Sequence, residues 1–346
     1  MSFPAYVNDI LAQPEALRRC VSAHSAETLR PLAAKLRDGE FDRVVVTGMG
    51  ASWSAAYPAC LTLSRLGLPV LRVETSELLH SCPDQVGPAT LLWVISQSGR
   101  SAEVVGLLEK LEEKERPAVL AITNTPDSPL FRQADWALLL QAGDEYTVST
   151  KTYLNTLALA QLVATQLSGD QPEPVKAALL SAGDALESYL AAWPDHVARW
   201  KELLNPERRL FLLGRGSSRA TVETGGLILK EASKVPGEGM EAGEFRHGPF
   251  ELVDDRLSAL VFGGDTATRA LNHRLALDIL EHGGQALWLS EEEDDRLPSV
   301  RIPAVEPVAQ PLAEILPIQM LTIALAEQQG LVPGAFRHLG KVVDKE

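Results

Sequence analysis

Two segments of this chain carry the same punctuation. Arg43-Val44-Val45-Val46-Thr47-Gly48-Met49-Gly50-Ala51-Ser52 and Arg209-Leu210-Phe211-Leu212-Leu213-Gly214-Arg215-Gly216-Ser217-Ser218 each run as an apolar strand, break at Gly-x-Gly-x-Ser and enter a helical stretch. Gly216 answers Gly50, 166 residues on. A strand–turn–helix unit that recurs at one spacing predicts a duplication. At 346 residues the chain has room for two such copies, each a domain of about 150 residues.

Around these turns, short apolar runs alternate with helical patterns. Strands are predicted near 43–48, 69–73, 90–96, 117–122 and 136–141, then near 209–214, 257–263 and 285–289. Helical periodicity fills most intervals, including 54–66, 102–111, 154–167, 224–233, 267–281 and 312–329. Such alternation implies α/β architecture with parallel sheets covered on both faces. In sheets of this kind ligands sit beyond the carboxyl ends of the strands. The Gly-x-Gly turns do not make a dinucleotide site, because Trp53 stands where the third glycine of that fingerprint belongs.

A formal net charge of −14 argues against nucleic acid or an anionic membrane as partner, since both require a basic surface. There is no run of about 18 apolar residues and no secretory leader pattern at the N-terminus, which sets a cytoplasmic location as the expectation. Cys20, Cys60 and Cys82 are odd in number and lack paired spacing, so they read as reduced thiols, mostly buried. The scattered histidines show no metal-ligand spacing, and no metal or cofactor is expected.

Chemistry enters at Ser96-Gln97-Ser98-Gly99-Arg100-Ser101. This run follows the apolar Leu91-Leu92-Trp93-Val94-Ile95 and precedes a helical pattern from Ala102. Hydroxyls and backbone N–H groups gathered where a buried strand passes into a helix can bind a phosphate without a full positive charge. At the repeat offset the second half offers Phe262-Gly263-Gly264-Asp265-Thr266-Ala267 instead. The serines are missing there, so one phosphate site per chain is expected.

Gly50-Ala51-Ser52, the Ser96–Ser101 run, Ser149-Thr150-Lys151, and Leu229-Lys230-Glu231 continuing to Ala242-Gly243-Glu244-Phe245-Arg246-His247-Gly248-Pro249 together resemble the double sugar-isomerase (SIS) domain family. The similarity is greatest to the isomerase half of glucosamine-6-phosphate synthases and covers nearly the whole chain. It implies two tandem SIS domains, each a mostly parallel five-stranded sheet between helical layers in a flavodoxin-like sandwich. The expected layout is a helical lead-in over 1–40, domains over 41–185 and 195–336, and an active-site tail over 337–346. The resemblance further implies a 6-phosphosugar held by Ser96, Gln97, Ser98 and Ser101, with Ser52 on the neighbouring strand end and Val148 and Ser149 near the sugar. By the same resemblance Glu231 shuttles a proton between carbons 1 and 2. His247 opens the sugar ring from a partner subunit, which implies a homodimer. Lys341, in Arg337-His338-Leu339-Gly340-Lys341, engages the carbonyl.

Three departures from the family pattern bear on activity. Ile228 stands where the synthases have a second helical lysine, Thr224 stands at the position of an upstream glutamate, and the approach to Ser149 is one residue short. Ser2 follows the initiator methionine where the synthases have the cysteine nucleophile of a glutaminase domain. The expectation is therefore a glutamine-independent enzyme that converts glucosamine 6-phosphate to fructose 6-phosphate with release of ammonia. The alternatives are aldose–ketose isomerisation, deglycation of a fructosamine 6-phosphate, and a phosphosugar sensor without catalysis. The sensor reading lacks a basic recognition element.

Overall fold

The computed structural model describes residues 3–112, 116–204, 207–338 and 340–342. These form two compact units, each built from separate stretches of chain. The first takes Glu15–Glu145, Lys151–Leu180 and the tail from His338; the second takes the chain up to Pro14, Tyr146–Thr150 and Ser181–Arg337.

In the first unit the strands are β1 (Arg43–Gly48), β2 (Val70–Glu74), β3 (Thr90–Ile95), β4 (Ala118–Thr123) and β5 (Trp136–Leu139). They pair in the order β2-β1-β3-β4-β5, with every neighbour parallel. Every residue of β3 is buried, as a central strand of a doubly covered sheet requires. Leu91, Trp93 and Ile95 pack into one face with Leu159 and Val163 of the helix Lys151–Leu167. Leu92 and Val94 pack into the other with Val104 and Leu107 of the helix Ala102–Glu112.

The second unit repeats the plan with β6 (Arg209–Gly214), β7 (Gly237–Glu241), β8 (Leu257–Phe262), β9 (Gln285–Ser290) and β10 (Ser299–Arg301). Its order is β10-β9-β8-β6-β7, again parallel throughout. Two strands escape sequence reading, and for different reasons. β7 reads Gly-Glu-Gly-Met-Glu because the helix Ser218–Ile228 lies flush on it: a Cβ at Gly239 would sit 1.7 Å from the Val222 carbonyl oxygen. β10 is a three-residue edge strand with no periodicity to read.

The predicted helix over 54–66 is instead split into Gly50–Ala55 and Tyr57–Leu63, with Pro58 opening the second piece. The helix Gln310–Gln328 forms the heart of the second unit. Its most apolar 18-residue window, within Pro307–Gln328, has a mean hydropathy of 1.4, enough by length and composition to cross a membrane, yet 89% of that window is buried inside the protein. Of the cysteines only Cys20 is buried outright; Cys60 and Cys82 are half-buried. Burial pushes the Cys20 thiol up to about 12.

Candidate active site

In both sheets the chain reverses its direction of winding beside the first strand, between β1 and β3 and between β6 and β8. Parallel sheets open a ligand crevice at that point. In the first unit Gly48 is level with Ile95, so the turns leading to Ser52 and Ser96 leave the sheet at one height.

The serine loop is tied down residue by residue. Ser96 donates its N–H to the Ile122 carbonyl at 3.0 Å, and its Oγ accepts the Gly99 N–H at 3.1 Å. Ser98 Oγ accepts the Arg100 N–H at 3.3 Å. The Gln97 carbonyl takes the Asn124 N–H at 2.9 Å and the Thr123 hydroxyl at 3.2 Å. Gly99 has φ +60°, and a Cβ there would lie 2.3 Å from Ser128 Oγ, so glycine is required twice over. Ser96 and Ser98 are buried. Each hydroxyl accepts from the backbone and still has its own proton to give, which is the donor geometry an anion needs. Ser101 is half-buried immediately before the helix Ala102–Glu112, and Ser52 is half-buried in the short helix Gly50–Ala55. Beside Ser52, the Arg72 guanidinium lies 3.5 Å from the Trp53 ring centre, a cation that the sequence pattern did not single out.

Lys341 also belongs to the first unit. Its Nζ is 2.5 Å from Glu145 Oε2, and the carboxylate is wholly buried. Thr152 completes the cage, donating its N–H to Oε1 at 3.1 Å and its hydroxyl to Oε2 at 2.6 Å. Burial works to raise the Glu145 pKa, but Lys341 and the Thr152 bonds outweigh it and hold the carboxyl below its ordinary value. Sequence reading missed Glu145 because its partner lies 196 residues away and nothing local marks it.

The other candidates lie in the second unit. Val148 is buried and Ser149 half-buried in the crossing Tyr146–Thr150. Glu231, predicted on an α-helix, instead occupies a π-helical turn, Leu229–Ser233, that continues the helix Ser218–Ile228. The widened turn closes where the N–H of Lys234, at φ +61°, reaches back to the Leu229 carbonyl; such turns recur at functional sites. Lys234 Nζ donates to the carbonyls of Glu231 and Ala335. Burial, and then Arg337, lower its pKa against the pull of Glu231. Ile228 is fully buried. His247 is exposed at the end of the turn Glu244–Arg246. That turn is anchored on both sides, by buried Phe245 and by Arg246 Nη2, 2.6 Å from Asp278 Oδ2.

The second Gly-x-Gly-x-Ser turn does different work from the first. Ser218 donates to Glu314 Oε1 at 2.7 Å and Thr221 to Oε2 at 3.1 Å, while Gln310 donates to Oε1 at 2.9 Å. Glu314 is fully buried on the helix Gln310–Gln328, and burial raises its pKa to about 7. It thus clamps the start of the helix whose far end carries Glu231. A raised carboxyl pKa costs nothing below the ordinary value of 4.5 and costs progressively more as pH climbs to 7. The full penalty is roughly 3 kcal/mol. Glu314→Gln, which keeps the shape and can re-aim its amide at the same partners, should flatten the fall in stability over that range and leave the variant more stable at pH 8. Denaturant titrations at pH 5 and pH 8 measure it; an unchanged pH slope would contradict the assignment.

A SIS domain family model matches residues 40–166 and 203–326. The chain belongs to the SIS domain family. Among curated proteins it is 31% identical over 351 residues to the isomerizing glutamine–fructose-6-phosphate aminotransferase of Pyrococcus horikoshii, covering 98% of this chain and 57% of that protein. The chain therefore spans somewhat more than half the length of that relative. Among solved structures, the C-terminal domain of glucosamine-fructose-6-phosphate aminotransferase from Francisella tularensis superposes with a TM-score of 0.83 at 22% identity, over 96% of this chain and 98% of that one. The tagatose-6-phosphate ketose/aldose isomerase of Escherichia coli gives 0.81 at 21% identity, over 96% of each.

Proposed function

We propose that this chain is a 6-phosphosugar isomerase acting on an amino-sugar phosphate, converting glucosamine 6-phosphate to fructose 6-phosphate and ammonia. The observation that carries the reading is the serine loop. In a chain of net charge −14, it offers anchored hydroxyl donors at the switch point, where a parallel sheet opens a ligand crevice. The Pyrococcus relative supports the choice of sugar, because its name joins fructose 6-phosphate to amino transfer and isomerisation.

In the proposed reaction Ser96, Gln97, Ser98 and Ser101 hold the phosphate, with Ser52, Val148 and Ser149 along the sugar. His247, presented outward on its anchored turn, serves the site of a second copy in a homodimer and protonates the ring oxygen, giving the open-chain aldehyde. Glu231 takes the proton from carbon 2 and returns it to carbon 1, while the amine gives up a proton and the carbonyl oxygen gains one, leaving a hydroxyl on carbon 1 and an imine at carbon 2. Water adds to that imine and ammonia leaves. Lys341, paired with Glu145, orients the carbonyl end as a hydrogen-bond donor.

Incubation with glucosamine 6-phosphate should release ammonia and fructose 6-phosphate in equal amounts, with solvent deuterium entering carbon 1. Fructose 6-phosphate equilibrating with glucose 6-phosphate while no ammonia forms from the amino sugar would replace this reading with plain aldose–ketose isomerisation.

A further inference from the structure

We propose that a cavity of about 340 Å³ in the second unit is a separate ligand site, and that it takes an unphosphorylated amino sugar. It lies at the carboxyl ends of β8 and β9, lined by the Gly263–Thr266 loop, Arg269, Ser290, Glu291 and Gln310. Its volume is at the lower end of the ~300–1,000 Å³ of small-molecule sites.

The two units can be aligned by structure here. Six residues, 96–101, join β3 to the helix Ala102–Glu112, and six, 263–268, join β8 to the helix Arg269–Glu281. This shifts the pairing expected from the 166-residue offset by one place. Asp265 stands where the first unit has Ser98, and Thr268 where it has Ser101. The loop has kept its length and changed the sign of its chemistry.

A carboxylate in place of a serine turns an anion site into one that rejects phosphate and accepts donors. Asp265 Oδ1 is held by the Thr268 N–H at 2.9 Å and hydroxyl at 2.8 Å. Its Oδ2 closes against Gly216, where a Cβ would lie 2.7 Å away. Glu291 adds a second carboxylate, fixed by the Val305 N–H at 3.3 Å. Against these the cavity lining sets one guanidinium, Arg269, which donates to Ser290 Oγ at 2.6 Å; Arg301, outside the lining, is turned to the Glu291 backbone carbonyl, its Nε donating at 3.3 Å. Two anions, one cation and neighbouring hydroxyl and amide groups match a ligand rich in hydroxyls that carries one positive charge. A dianionic phosphate would face net repulsion.

Calorimetric titration of the full chain with D-glucosamine tests this, with D-glucose and glucosamine 6-phosphate as companions. D-glucosamine should saturate one site per chain. D-glucose should bind about tenfold more weakly or worse, the worth of one charge-assisted hydrogen bond. Thr266→Trp, at an exposed rim position, and Glu291→Gln should each weaken glucosamine binding about tenfold or more, with melting temperatures held. Ser98→Ala should weaken the phosphosugar titration and leave that of glucosamine intact. No saturable uptake would overturn the proposal, as would a titration indifferent to Thr266→Trp or one lost in Ser98→Ala. Equal affinity for glucose would overturn its amine requirement. None of these outcomes depends on turnover, so the site stands or falls apart from the proposed reaction.

Discussion

Glu231→Gln is expected to lower turnover of glucosamine 6-phosphate by about 10²–10⁴-fold, the usual worth of a positioned general base, while KM stays within a few-fold. The substitution keeps the side chain's size on the π-turn and removes its ability to carry a proton. In the proposed reaction the serine loop holds the phosphate and Glu231 only moves the proton, so the loss should fall on kcat, the signature of an interaction needed only in the transition state. Deuterium exchange at carbon 1 should vanish with it. A Glu231→Gln enzyme that keeps its kcat would remove Glu231 from the reaction; one that loses activity through KM alone would make it a binding residue.

The pair of glycine turns foretold most of the fold, because each turn is a local event: φ +54° at Gly50 and +57° at Gly216 are what the pattern demands. The buried strands were legible for the same reason, since β1, β3 and β8 are nearly continuous apolar runs. What stayed hidden is non-local. β7 is a strand of glycines because a helix presses on it, and no periodicity announces that. Glu145 and Glu314 are buried carboxylates whose partners include residues 93 or more positions distant, Lys341 for the first and Ser218 and Thr221 for the second. Glu231 was found through its neighbours Lys230 and the Gly-Glu-Phe-Arg-His-Gly-Pro segment, but its π-turn was not, because that turn is closed by the left-handed Lys234 after it.

The two halves also show one frame carrying two different sets of residues. Strand order, switch point and loop length match, and the residues on that frame do not. In the first unit the turn after β3 presents hydroxyls. In the second, the turn after β6 spends its serine, Ser218, on a buried carboxyl that pins a helix. The frame fixes where a ligand can sit; the residues placed on it decide which ligand chemistry each half can meet.

The second large effect concerns the tail. Lys341→Met should destabilise the first unit by about 3–5 kcal/mol, because it removes one member of a 2.5 Å ion pair whose other member, the Glu145 carboxylate, is wholly buried. The pH dependence should invert as well. In the native protein the Glu145 pKa lies below its ordinary 4.5, so its contribution is present above that value and is lost as pH falls through the folded pKa. Without Lys341 burial dominates, the folded pKa rises above 4.5, and stability is lost as pH increases instead. Pairing Lys341→Met with Glu145→Leu, which removes the stranded charge, should recover much of the loss, since a well-packed apolar pair can replace a buried ion pair at little cost. Urea unfolding of the single and double variants between pH 4 and pH 8 reads all three effects. A single variant as stable as the native protein, with an unchanged acid limb, would show that the tail does not depend on this pair.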